Sequence, residues 1–287
     1  PAKPSEEDED GCTVTRSRSA HWNFPLLEAA RAGEPEIIRL LLARGAGSTV
    51  NIDEGFEDRP ARDPPPVAPI AGFGLSFHGD REPDRDEAVS LLVAASADVS
   101  CSLCGVPVLV YTLTNLREDR ERGPRIERVG TEIVRHLLKG HTAQGTLAAA
   151  LGPYKLAHST THAQHDTSTP LHASAEHCSA EVTQLLIEAH ADVNARESTW
   201  RRTPLHLARS AATAKTLLAA GASVHAVTGN GMTPLCTASG HEHVRVLLEA
   251  GAVVHVVADL ANMAEHLTPL HASLSCGGAV RLLLEAR

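Results

Sequence analysis

Three histidines of this 287-residue chain recur in one setting: His172, His206 and His271 each close the tetrapeptide Thr-Pro-Leu-His. Histidine changes charge near neutral pH, so the recurrence invites an acid–base reading. A denser group comprises His158, His162, His165, Asp166, His172 and His177. His158 and His162 are four apart, so a helix would put them on one face. Zinc takes three or four such ligands in tetrahedral array. Ser159, Thr160, Thr161, Thr167 and Ser168 interrupt the run, and residues of this kind favour caps and turns over a continuous helix. Cys101-x-x-Cys104 is a lone pair with no second pair of similar spacing. Gly229-Asn230-Gly231 lacks the Gly-Lys-Ser/Thr ending of a phosphate loop; Asn-Gly between hairpin arms is a preferred tight turn. No nucleophile, base and orienting group fall together. The expectation is a chain with no catalytic residue, no metal and no cofactor. The exposed candidates are instead Trp200, Arg201 and Arg202, because Trp and Arg dominate binding hot spots.

A repeat positions these residues. Thr203-Pro204-Leu205-His206 is preceded by Thr169-Pro170-Leu171-His172 and followed by Thr233-Pro234-Leu235-Cys236 and Thr268-Pro269-Leu270-His271. The starts lie 34, 30 and 35 residues apart (203−169, 233−203, 268−233). Thr is a good helix N-cap. Pro at the first helical position gives up a donor that had no partner anyway, and Leu opens an apolar face. A second helical segment follows with paired leucines at 185, 217, 247 and 282. Then come a small-residue stop and a short β-prone hairpin, as at Gly221-Ala222-Ser223-Val224-His225. Self-similarity at this period is the mark of a stacked solenoid.

Three further repeats precede these. They open at Phe24-Pro25-Leu26, Ala68-Pro69-Ile70 and Val106-Pro107-Val108, with leucine pairs at 40, 91 and 137. The early steps are 51, 46 and 48 residues, about 15 more than one period (91−40, 137−91, 185−137). Each early step therefore holds one repeat and one insertion. The insertions are 48–67, 117–129 between two helices, and a His/Thr-rich 142–167 with a short helix at Thr146 to Leu151. The organisation predicted is an acidic tail 1–19, irregular repeats over 20–141, the insertion 142–167 and regular repeats over 168–287.

The order helix, turn, helix, Gly-Ala stop, hairpin resembles the ankyrin repeat, from about Phe24 to Arg287. The resemblance implies an all-α solenoid of about seven helix-turn-helix repeats with β-hairpin fingers. It implies that Thr169, Pro170, His172, Thr203, Pro204, His206, Thr233, Pro234, Thr268, Pro269 and His271 are structural, each His bonding between neighbouring repeats. It implies a protein partner or larger complex held on fingers and first helices, as a scaffold, adaptor or non-catalytic subunit. The residues picked for that surface are Glu197, Trp200, Arg201, Arg202, Asn230, Met232 and His255. Arg201 stands where the finger usually carries Gly, and the 30-residue repeat at Thr203 implies shortened helices there. Two other readings stay open: a metal- or ligand-regulated enzyme subunit using the His-rich insertion, and the targeting region of a longer enzyme.

Composition narrows the classes. Apolar residues are 43%, charged 21% and aromatic only 3%; helices packed through Ala, Leu and Val need few large rings. A net charge of −9 argues against a general nucleic-acid binder, which needs clustered cations. No apolar run is long enough to span a bilayer. The six cysteines are scattered, as free thiols of a reducing compartment would be, which points to cytoplasm or nucleus. Val280 to Arg287 repeats the interior leucine run without a polar cap. The expectation is that further chain or another subunit covers this edge.

Overall fold

The computed structural model describes residues 25–46, 85–100, 102–103, 106–120, 124–155, 167–255, 258–259, 266–272 and 277–286. The tail 1–19, the insertion 48–67, the opening at Ala68-Pro69-Ile70, Cys101, Cys104, His158, His162, His165 and Asp166 lie outside them. Repeat one is α1 (Pro25–Ala32) and α2 (Pro35–Ala43). The second helix of repeat two is α3 (Arg85–Ala94). Repeat three is α4 (Val108–Arg120) and α5 (Pro124–Gln144), followed by the short α6 (Leu147–Leu151). Repeats four and five are α7 (Pro170–His177) with α8 (Ala180–Glu188), and α9 (Pro204–Leu207) with α10 (Ala211–Ala219). Repeats six and seven are α11 (Pro234–Thr237) with α12 (His241–Glu249), and α13 (Pro269–Ala272) with α14 (Gly277–Glu285).

The helices form two rows. Second helices touch in the order α2, α3, α5, α8, α10, α12, α14, and first helices in the order α4, α7, α9, α11, α13. The core is the seam between the rows. Leu109, Leu171, Leu205 and Leu235 enter from the first helices; Leu92, Leu137, Leu186, Leu217, Leu247 and Leu283 enter from the second. None is more than 1% exposed. Each repeat thus buries its leucines only against its neighbours, which makes the stack nearly one-dimensional in its energetics.

The second helices of repeats one to six end through one device. Gly45, Ser96, Gly145, His190, Gly221 and Gly251 all have positive φ. The residue after five of them bonds back: Ala97, Thr146, Ala191, Ala222 and Ala252 donate to the carbonyls of Leu92, His141, Leu186, Leu217 and Leu247, the Thr146 bond at 2.9 Å and the others at 3.0 Å. This reverse turn satisfies carbonyls that the helix leaves open, and it launches the chain toward the finger.

Two expectations change. Of the insertion 117–129, residues 117–120 lengthen α4 and residues 124–129 lengthen α5, while 121–123 lie outside the described residues. Arg and Glu are good helix formers, and Pro124 is well placed to begin a helix. The 21-residue α5 packs closely because Gly140 leaves room for Val99, where an added Cβ would lie 2.8 Å from Cγ1. Shortening of the first helix is not confined to the repeat at Thr203: α9 and α11 have four residues against eight in α7. The reason is arithmetic, since Thr stands 16 residues before its leucine pair in repeat four and 14 in each later repeat (185−169; 217−203, 247−233, 282−268).

The fingers also differ from one another. Antiparallel strand pairs form at β1 (Ser102–Leu103) with β2 (Val106–Pro107), β3 (Tyr154–Lys155) with β4 (Thr167–Ser168), and β5 (Ala258–Asp259) with β6 (His266–Leu267). The fingers of the most regular repeats, 192–202 and 222–232, form no ladder and close as tight turns. Truncating Leu217 to Ala should cost about 2–5 kcal/mol, read from denaturant midpoints. Leu40→Ala, at a side chain 65% exposed on α2, should change stability by less than about 0.5 kcal/mol. Equal effects would contradict a core confined to the seam.

Candidate functional site

The fingers before repeats five and six form one stitched edge. Ser198 Oγ accepts from the Thr167 amide (2.7 Å), and the Ser198 amide donates to the Thr167 carbonyl (3.1 Å). Asn194 reaches the next repeat, donating to the Gly221 carbonyl (3.1 Å) and accepting from the Ser223 amide (2.8 Å). The Gly229 amide donates to the Trp200 carbonyl at 2.8 Å. Arg196 Nη1 donates to the Val227 carbonyl at 2.8 Å.

Histidines tie this edge to the helices. His172 Nδ1 accepts from the Thr169 amide (3.3 Å) and lies 2.8 Å from its hydroxyl; His206 does the same at Thr203 with 3.1 and 2.9 Å. Each pair forms a reciprocal capping box at its helix start. With Nδ1 accepting, the single proton of a neutral ring sits on Nε2. That nitrogen faces the Arg202 carbonyl from His172 and the Met232 carbonyl from His206, both at 3.0 Å. One imidazole therefore caps its own helix and holds the next finger. Thr268 and His271 keep the capping half, with the hydroxyl 2.7 Å from Nδ1. Cys236 keeps only a bond to its own repeat, its buried thiol 3.6 Å from the Thr233 hydroxyl, and has no ring nitrogen to reach onward.

Two fingers of different length result. The Glu197 amide closes on the Arg202 carbonyl, five residues on, and the Thr228 amide on the Met232 carbonyl, four residues on. The longer turn carries Trp200, whose side chain is 51% exposed. Arg201 and Gly231 each stand two residues before the repeat's Thr, with φ of +55° and +75°. For Arg that left-handed backbone costs about 1 kcal/mol or more, which Gly would not incur.

The residues picked from sequence divide between two jobs. Trp200, Arg201 and His255 are exposed; Asn230 and Met232 are half-buried. Glu197 is buried and accepts from both Arg202 Nε and Arg202 Nη2. Glu197, Arg202 and the Met232 carbonyl thus brace the fingers from inside. Sequence reasoning missed Arg196, and Val227, which is 42% exposed. Their signal was the shared register, since each follows the Ala of Val-x-Ala (Ala195, Ala226). Among the described residues no group of three His, Cys, Asp or Glu side chains could hold a metal. Of the dense His group only His172 and His177 are described, and His172 is engaged in its finger bond.

Burial pushes His206 down to about 4, against the pull of the Met232 bond; Arg196 and Arg202 add to the fall. His172 and His243 shift the same way through burial. The folded value lies below the unfolded one of about 6.5. The unfolded chain therefore binds the proton more readily. The stability that His206 confers is full above pH 6.5 and is lost as pH falls toward 4, roughly 3 kcal/mol in all. Protonation also places a second proton on Nδ1, which must accept from Thr203. Urea midpoints should fall between pH 7.5 and 4.5, with a shallower fall in His206→Gln. An unchanged slope in that variant would contradict the assignment.

The sequence model for ankyrin repeats, in three copies, matches residues 127–228. No curated protein matches the chain. Among solved structures, the ankyrin repeat domain of human ASB11 aligns with a TM-score of 0.60 at 19% identity, over 92% of this chain and 97% of that one. The ankyrin repeat domain of Bcl-3, described as a unique member of the IkappaB protein family, aligns at 0.55 and 22% identity. That match covers 92% of this chain and 99% of the other. No helix among the described residues is long and apolar enough to cross a membrane. Residues 127–228 match ankyrin repeats, and the fold of the chain is the ankyrin-repeat fold.

Proposed function

We propose that the protein is a non-catalytic interaction module, a scaffold, adaptor or subunit, that seats a protein partner on the finger edge of repeats four to six. Ankyrin repeats are in general protein-binding modules, and the buried histidines of this stack serve architecture. The observation that carries the reading is Trp200. A half-exposed indole on a finger tied at both flanks offers a large apolar area in a fixed position. Anchors of this kind carry most of the energy of protein interfaces, and a rigid edge loses little freedom on binding. Arg201 stands beside it at a strained backbone position, where strain points toward use of the side chain.

Glu197 and Arg202 act at one remove, by holding the turn. Trp200, Arg201, Asn230 and His255 are the contact residues, with Arg196 and Val227 added. The test starts from a partner identified by cross-linked capture from the native source. Calorimetry then compares wild type with Trp200→Ala and with Lys215→Ala, an exposed position on α10. Trp200→Ala should weaken binding by about 2 kcal/mol or more, and Lys215→Ala should leave it within about 0.5 kcal/mol. Equal affinity for wild type and Trp200→Ala, with the fold intact, would put the partner elsewhere.

A further inference from the structure

The finger edge has a chemistry of its own within an acidic protein. The chain carries 35 acidic and 26 basic side chains. In repeats four to six the exposed charges of the second helices are mainly acidic, with Glu181, Glu188, Glu242 and Glu249 set against Lys215 and Arg245. On the finger edge the balance reverses. Arg196 and Arg201 are exposed, and the carboxylate of Glu197 is buried and consumed by Arg202. The Arg201 guanidinium has no ion-pair partner among the described residues. Within the finger 192–202 the exposed acid is Asp192, and its carboxylate already caps the Asn194 amide at 2.9 Å. At physiological salt, exposed charges more than about 8 Å apart are largely screened. A ligand at the edge therefore feels these two cations and not the chain's net charge.

The two cations share a finger with Trp200, and the next finger carries Val227. Trp200 lies beside Arg201 in sequence, and its carbonyl is bonded to Gly229; Arg196 is bonded to the carbonyl of Val227. Arg196, Trp200 and Arg201 thus share one finger, Val227 stands on the next, and hydrogen bonds hold the two fingers together. We infer that the finger edge binds an acidic protein segment, with Asp or Glu flanking a large apolar residue that packs on Trp200 and Val227. This rests on the reading of the finger edge as the partner site and specifies what sits there. A basic segment would find its complement on the acidic second helices instead. Arg201 is the specificity residue of the pair. It occupies a backbone position suited to Gly, so Arg201→Gly removes the charge while relieving strain, and loss of binding in that variant cannot come from unfolding.

Random twelve-residue peptides displayed on phage, selected on the full chain, test this. The selected sequences should be enriched in Asp and Glu around Leu, Ile, Phe or Trp. Arg201→Gly should weaken them by about fivefold or more and Trp200→Ala by about tenfold or more, while the thermal midpoint of Arg201→Gly rises. Raising salt from roughly 0.05 to 0.3 M should weaken the same peptides in wild type and less so in Arg201→Gly. Neutral or basic winners that still need Trp200, or no winners, overturn the acidic assignment and leave the finger edge as the partner site. Winners indifferent to both substitutions overturn the finger edge itself.

Discussion

A neutral imidazole shared between two repeats is the interaction on which the regular half of this molecule depends. His172 and His206 each spend one ring nitrogen on their own helix start and the other on the carbonyl of the next finger. The leucine seam holds the helices together without fixing where the fingers stand. The imidazole supplies that missing constraint, because it joins the helix row to the turn that follows about 30 residues later. It works only while uncharged, and burial keeps it so. Repeat six shows the constraint removed. Cys236 fits the buried position but bonds only toward its own Thr233.

A fixed finger explains how an exposed tryptophan can serve recognition. Trp200 sits on a turn closed by Glu197 and Arg202 within the finger, by His172 from the helix before it, and by Gly229 from the finger after it. A partner meeting it need not order it first. The same bracing accounts for the strained backbone at Arg201: the bonds on either side over-determine a conformation that the residue alone would not choose.

Much of this was legible in the sequence. The Thr-Pro-Leu-His period, the leucine pairs and the Gly-Ala stops gave the stack, because each is a local pattern with a local cause. The roles within the finger were not legible. Glu197 and Arg202 look like free surface charges until the turn closes them on each other. Arg196 gains its position from Val227, 31 residues away. The insertion 117–129 was marked by the excess over the repeat period; that residues 117–120 and 124–129 are helical came from helix propensity instead. The extra residue of the Trp200 turn shows only when its closing bond is set beside that of the next finger.

The central claim is that the partner sits on the finger edge rather than on the helix rows. Photo-cross-linking tests it most directly, with a benzophenone side chain placed at position 200 or at Glu249 on the exposed face of α12. The account predicts that the partner is captured in good yield from position 200 and only at background from position 249. Equal capture from both, or capture from 249 alone, would contradict it.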